Sequence, residues 1–387
     1  MNAVYSLQGD AFAQVLVRWQ AAHGRQHLPW QHTGDAYKVW LSEVMLQQTQ
    51  VSTVLAYYAR FLSAFPTVHH LAAASEQDVM QLWAGLGYYS RARNLHACAK
   101  QVVERFGGQF PSTVAELESL PGIGRSTAGA IASLAYGVQA PILDGNVKRV
   151  FCRYYAVQGH PDQSQIQKAL WVQAHSNVPA DAPGQYNQAL MDLGATLCTP
   201  KNPNCKQCPL MQSCQALRMG MVGQLPTPKP KKPRPNLYYL AVLLRAPGGA
   251  LGLQLQTEKG VWHSLWTPPL LPCDSQVNEA CLADLCGRWA NTYALPTPLQ
   301  LALRRQAGAL QSQPWMVHEL THRKMHFKVV VLDVPEELKQ GLQKAGLELA
   351  LLETKPVPKV VHKLLAHAQA VLLADGAVPQ QNTLDLG

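Results

Sequence analysis

The sequence predicts a multidomain chain, mainly α-helical over residues 1–223 and α+β beyond a basic linker. Three observations carry that expectation. Apolar residues recur at helical spacing from Asp10 to about Leu197 with no strand signal among them. Residues 224–236 then interleave Pro226, Pro228, Pro230, Pro233 and Pro235 with Lys229, Lys231, Lys232 and Arg234, a composition that stays stiff and extended. After it the apolar period shortens, so that Leu237–Leu244, Leu251–Gln256 and Phe327–Val334 read as strands, with Val277–Ala290 and Val360–Leu373 as helices. Residues 237–375 form the second domain in this reading, and 376–387 a loose tail.

In chain order, Phe12, Val15, Leu16 and Trp19 mark a first helix over Asp10–Ala22, stopped by His23-Gly24. A turn at Thr33-Gly34-Asp35 leads into Tyr37–Val51. Leu41, Val44 and Met45 form an apolar stripe there, flanked by Glu43 and followed by Gln47, Gln48 and Gln50. An exposed helical face accounts for such glutamines unless they have a function. Helices continue to Phe106 with breaks at Pro66, Gly85-Leu86-Gly87 and Gly107-Gly108. The stretch Gly85–Asn94 sets Tyr88 and Tyr89 beside Arg91 and Arg93. Aromatics wedge between bases and arginines hold phosphates, although a tyrosine pair at a helix start also serves core packing.

The centre of the chain is Leu120–Asp144. Thr113 with Glu116 is a capping-box signal for a short helix over Val114–Leu120. Gly122 and Gly124 allow a tight turn, and a second helix starts near Ser126, completing a hairpin over 114–136. The free amides of that second helix, with its dipole, make a phosphate grip that reads no base. Small residues Ala128, Gly129, Ala130 and Ala132 permit close packing. Asp144 follows at the start of the next helix, where an Asp also serves as a cap.

Lys plus Arg exceed Asp plus Glu by 33 to 24, and the isoelectric point near 9.1 points to a polyanionic partner. No apolar run is long enough for a membrane span and no basic-then-apolar leader is present, so a cytosolic, nucleoid-associated location is expected. Of nine cysteines, Cys98, Cys152, Cys273, Cys281 and Cys286 sit among apolar residues and read as small buried hydrophobes. The other four follow the pattern Cys198-x6-Cys205-x2-Cys208-x5-Cys214, with Pro203 and Pro209 bending the chain. That density indicates one metal centre. Zinc and an iron–sulfur cluster both fit, and a single Cys-x2-Cys knuckle tilts the reading to the cluster. Lys201, Lys206 and Arg218 surround it with positive charge. His318, His322 and His326 recur every fourth residue, but Trp315-Met316-Val317 and Phe327–Val331 make them part of a strand hairpin, not a helical metal site.

As a set these motifs resemble the helix-hairpin-helix glycosylases of base-excision repair, and within them the MutY-type adenine DNA glycosylases. Leu120-Pro121-Gly122-Ile123-Gly124, Asp144 and the four-cysteine loop are shared with the wider superfamily. Pro29-Trp30, Val39–Gln50, Gly85-Leu86-Gly87-Tyr88-Tyr89 and the second domain are more particular to the adenine enzymes. The resemblance implies a six-helix barrel, a cluster domain holding [4Fe–4S] on Cys198, Cys205, Cys208 and Cys214, and a Nudix-like lesion-recognition domain. It implies a monomer acting on duplex DNA with adenine opposite 8-oxoguanine or guanine. Glu43 would protonate adenine at N7, Asp144 would steady positive charge on the sugar, and Asn146 would orient the site. Gly122 and Gly124 would hold the backbone, with Ser126 on the same DNA-binding element. Gln47, Gln48 and Tyr88 would lie on the gap and lesion side.

Two letters carry extra information within that resemblance. Ser126 stands where the strand-cleaving relatives place a lysine nucleophile, which implies base removal by water and no strand cleavage. In the second domain, Leu320-Thr321-His322 aligns with a Phe-Ser-His probe of the lesion, so Thr321 and His322 keep the polar contacts while Leu320 loses the aromatic. The domain carries no Gly-x5-Glu-x7-Arg-Glu Nudix signature and is expected to bind without hydrolysing. A bifunctional glycosylase/lyase is the enzymatic rival, and a DNA-binding protein with a structural metal is the non-enzymatic one.

Overall fold

A computed structural model describes residues 7–230, 233–275, 279–292 and 296–374. Contacts divide the chain into two units, one of 1–74 with 90–231, the other of 75–89 with 232–387.

The helices run in the order α1 (Gly9–His23), α2 (Ala36–Leu46), α3 (Val51–Ala64), α4 (Val68–Ala73), α5 (Glu76–Trp83), α6 (Ser90–Phe106), α7 (Val114–Glu118), α8 (Arg125–Tyr136), α9 (Gly145–Tyr154), α10 (Ser164–Asn177), α11 (Pro183–Thr196) and α12 (Gln215–Arg218). All but α5 belong to the first unit. The expected cap at Thr113 is present, accepting from the Glu116 amide at the start of α7, and Asp35, read from sequence as a turn residue, accepts from the Tyr37 and Lys38 amides at the start of α2. Phe12 and Leu16 on α1 meet Phe151 and Tyr154 on α9 and Tyr186 on α11 in one core, with the Phe12 and Tyr154 rings 4.9 Å apart. Cys98 and Cys152 are buried as expected, whereas Cys273 is half-exposed. Cys273 lies near the end of a strand, where less packs against it. The side chains of Cys281 and Cys286 and the expected tail lie outside the described residues.

One sequence expectation fails at the end of α2. The helix stops at Leu46, so Gln47, Gln48 and Gln50 do not continue a helical face; they form the loop into α3. Gln48 adopts φ 56°, a left-handed conformation unusual for a side-chain-bearing residue.

The second unit is built on a seven-stranded mixed sheet: β1 (Asn236–Arg245), β2 (Leu251–Leu255), β3 (Trp266–Thr267), β4 (Leu270–Cys273), β5 (Met316–Glu319), β6 (Lys324–Asp333) and β7 (Glu348–Ala350), in the path β3-β2-β1-β6-β5 with β4 and β7 beside it. β1 and β6 are parallel, Asn236 opposite Lys324 through Arg245 opposite Asp333. Alternation sorts β1 onto two cores. Leu240, Val242 and Leu244 face α13 (Glu279–Thr292) and α14 (Thr297–Arg305), beyond which lie α15 (Ala307–Ser312) and α16 (Lys339–Lys344). Ala241 and Leu243 face α17 (Lys359–Ala374) with Phe327 and Val360. The stretch after β2 leads into the short strand β3. His318 and His326 sit on the β5–β6 hairpin with His322 in its turn, as the flanking strands implied.

Candidate active site

Helix α2 carries Glu43 and packs against α8, the second helix of the hairpin. Trp40, Leu41, Val44 and Met45 are buried around it, which fixes the rotation of the helix and turns Glu43 to one side. Burial, and after it the charge of Asp144, pushes the Glu43 carboxyl up to about 7. The two carboxylates expected from sequence are therefore close enough to feel each other.

Asp144 reaches that place through the hairpin. Gly122 makes the turn at φ 76°. Gly124 has extended backbone, no side chain to cap α8 and open space where a Cβ would stand, so the first amides of α8 are uncovered. Ser126 uses its Oγ to accept the Leu143 N–H at 3.0 Å, tying the start of α8 to the residue before Asp144. Asp144 is then the N-cap of α9: Oδ1 accepts from Val147 N at 2.8 Å and Oδ2 from Asn146 Nδ2 at 3.2 Å. Asp144 thus fills the capping role expected of an Asp at this position. Burial raises its carboxyl, while bonds from Val147 and Asn146 and the charge of Arg149 oppose that rise.

Arg149, Gly194 and Arg153, which sequence reasoning passed over, and Arg91, which it read as a phosphate holder, hold this arrangement. Arg149 donates to Asn146 Oδ1 and Gly194 O at 2.8 and 2.7 Å, and to Cys198 O at 2.7 Å, joining the carboxylate loop to the cysteine loop. Gly194 on α11 permits this approach, since a Cβ there would lie 2.6 Å from that of Asn146. Arg153, one turn further along α9 and buried, donates to Leu225 O, Thr199 O and Pro200 O, and at 3.4 Å to Cys198 Sγ. Arg91 on α6, also buried, donates to Val44 O and Met45 O at 2.8 and 2.9 Å and to Thr49 Oγ1 at 3.2 Å, clamping the end of the Glu43 helix. The signal for the first pair was visible: Arg149 and Arg153 stand four apart on a helix with an otherwise apolar face.

The four loop cysteines are free and half-buried, and burial, with the charge of Cys198 after it, raises the thiols of Cys205, Cys208 and Cys214. Among the described residues no three His, Cys, Asp or Glu side chains are grouped to hold a single metal ion. In the second unit, Tyr89 is buried while Tyr88 is 44% exposed at φ 49°, and the Tyr88 hydroxyl bonds Thr321 Oγ1 at 2.8 Å. His322 lies exposed in the same turn. Among the described residues no helix is long and apolar enough to cross a membrane.

Residues 41–175 match the family model described as the HhH-GPD superfamily base excision DNA repair protein. The chain is 41% identical to an adenine DNA glycosylase of Buchnera aphidicola subsp. Schizaphis graminum, covering 67% of this chain and 74% of that one. It is 48% identical to the Homo sapiens adenine DNA glycosylase over 53% of this chain and 39% of that one. A solved thermostable thymine-DNA glycosylase matches at TM-score 0.50 and 27% identity, over 54% of this chain and 95% of its own. A helix-hairpin-helix with an uncovered amide turn, an aimed carboxylate pair and these relatives lead to one assignment: the chain belongs to the adenine DNA glycosylases of base-excision repair and is a DNA N-glycosylase.

Proposed function

We propose that the protein removes adenine mispaired with 8-oxoguanine or guanine in duplex DNA, leaves an abasic site and does not cut the strand. The observation that carries this reading is the Glu43 carboxyl at about 7 beside Asp144. Breaking an N-glycosidic bond requires an acid for the leaving base and negative charge for an oxocarbenium-like sugar. Glu43, half-protonated near neutral pH, protonates adenine N7. Asp144, steadied by Val147, Asn146 and Arg149, stabilises the cationic sugar until water attacks. Adenine is extruded from the stack first, at a cost of a few kcal/mol that a mispair lowers.

Gly122 and Gly124 hold the backbone phosphate through the α8 amides, with Ser126 behind them. Gln47 and Gln48 fill the gap on the loop after α2, and Tyr88 wedges at the lesion with Thr321 and His322. The second unit acts as a Nudix-like reader of 8-oxoguanine, and the protein works as a monomer. Cys198, Cys205, Cys208 and Cys214 fit a [4Fe–4S] cluster. They are free thiols, half-buried on one loop, and Arg153 donates an N–H to Cys198 Sγ at 3.4 Å. Bound there, the cluster supplies a rigid loop tied through Arg149 to the carboxylate site.

The test is incubation with duplexes carrying adenine opposite 8-oxoguanine, adenine opposite guanine, or an oxidised pyrimidine, with products compared before and after alkali. Strand breaks at adenine only after alkali are expected, with visible absorbance from iron–thiolate bonds. Borohydride trapping at the rate of base release, or preference for the oxidised pyrimidine, overturns the reading.

A further inference from the structure

Lys148 stands one turn after Asp144 on α9, its amide donating to the Asp144 carbonyl at 2.9 Å, so the two side chains leave the helix on the same face. Its ammonium is fixed by Asp162 at 2.7 Å, and its side chain is only 19% exposed. The loop that carries Asp162 also sets a histidine. His160 Nδ1 accepts the Asp162 N–H at 3.1 Å, which places the imidazole proton on Nε2.

A further wall comes from a stretch read from sequence as a linker. Residues 224–231 belong by their contacts to the first unit. Leu225 is buried and its carbonyl accepts from Arg153 Nε at 2.8 Å, and Thr227 Oγ1 accepts the Gly159 N–H at 3.1 Å. Beside this docked stretch lies a cavity of about 620 Å³, lined by Gly145, Lys148 and Arg149 of α9, His160 and Asp162 of the loop after it, and Gln224 and Pro226 of the linker. Gly145 is the residue after Asp144, so the cavity opens beside the carboxylate. Its lining is cationic, since Lys148 and Arg149 outnumber Asp162, whose charge Lys148 answers.

We propose that this cavity holds the phosphodiester next to the target nucleotide, with Lys148 and His160 as its donors and the start of the linker as its wall. A phosphate accepts from an ammonium and an imidazole N–H together, and Asp162 takes only part of the donor capacity of the ammonium. The inference rests on the proposed function in one respect, that Asp144 stands at the deoxyribose. A sugar there carries a phosphate on each side, and the cavity begins one residue away. Lys148 and His160 then act on the strand and not on the bond that breaks, holding the sugar against Asp144.

A methylphosphonate walk tests this. Duplexes with adenine opposite 8-oxoguanine carry one neutral methylphosphonate at successive positions around the adenosine. Affinity is measured for the Glu43→Gln chain, which releases no base, alone and with either Lys148→Gln/Asp162→Asn or His160→Ala added. The paired change removes a cation and an anion together, so net charge is kept. Neutralising one of the two phosphates that flank the adenosine weakens binding by the Glu43→Gln chain about tenfold, and by less than about threefold in both added variants. Penalties at more distant phosphates stay as they were. If the paired variant melts early, His160→Ala decides alone. The same penalties in all three chains at every position overturn the proposal, even if phosphate buffer raises the melting temperature, because only a DNA phosphate has a position along the strand. Loss confined to distant positions overturns it as well. Failure of the Glu43→Gln chain to prefer the adenine mispair over matched duplex counts against the proposed function. The salt dependence of matched-duplex binding then judges the cavity: a slope of log K against log salt shallower by about 1 in the paired variant keeps it as a phosphodiester site, and an equal slope removes it.

Discussion

The Asn146 side-chain amide is shared between two charges, donating to Asp144 Oδ2 while its own oxygen accepts from Arg149 at 2.8 Å. Removing it leaves Asp144 with the backbone amides of Val147 and residue 146 as donors and takes one acceptor from the guanidinium. A hydrogen bond to a charged group is worth about 1.5–3 kcal/mol, so Asn146→Ala should lower the single-turnover rate by roughly 10- to 100-fold. Duplex affinity should change little. Equal losses in rate and affinity would mean that Asn146 holds DNA and not the carboxylate.

Glu43 sets a pH dependence. Its carboxyl is raised to about 7 in the folded chain against 4.5 in the open chain, so the folded state holds the extra proton in that window. Base release should fall as pH rises through about 7, because the acid is lost. Ionisation there also opposes folding, so stability declines as pH climbs from about 4.5 past 7. Glu43→Gln should abolish adenine release and raise the melting temperature more at pH 8 than at pH 5. A uniform gain at both would place the raised pKa elsewhere.

Arg91 closes the carboxyl end of α2 with a buried charge. Arg91→Met leaves Val44 and Met45 carbonyls without their donor, and should destabilise the chain by about 2–4 kcal/mol, read from denaturant unfolding. Arg91→Lys should recover part of the loss, since an ammonium still reaches one carbonyl. If Met and Lys behave alike, the packing of the arm and not its bonds is what matters.

Lys148 on α9 lies four residues after Asp144, and its ammonium is held by Asp162 at 2.7 Å. An ammonium so held is restrained, which keeps it from reaching an abasic sugar. Asp162→Asn should increase borohydride-trapped adduct several-fold while adenine release stays at its normal rate. Unaltered trapping would show that Lys148 is out of reach of the sugar whatever its partner.

Much of this was legible from sequence because it depends on local rules. The capping box at Thr113, the turn at Gly122 and the cap at Asp144 are properties of a few neighbouring residues, as is the change to strand periodicity after the linker. What was not legible depends on contacts between distant residues. Arg91 looked like a companion of Tyr88 at a DNA-facing turn, but it turns inward to the carbonyls of Val44 and Met45 at the end of α2. Ser126 was legible as a missing nucleophile, yet its bond to Leu143 needed the chain to return beneath α8. The glutamines after Glu43 were misread because periodicity cannot see that α2 ends at Leu46 when no Gly or Pro marks the stop.

The parallel pairing of β1 with β6 has a consequence for how the chain is made. Partners such as Arg245 and Asp333 are 88 residues apart, so β1 emerges from synthesis long before the strand that completes it. Closing so long a loop is slow in entropic terms, and an apolar strand waits with an open edge meanwhile. By then every residue of the first unit, 1–74 with 90–231, has been made. Assembly should therefore be ordered in time, the helical unit forming during translation and the sheet unit closing last, with the exposed β1 edge as the point of vulnerability to aggregation.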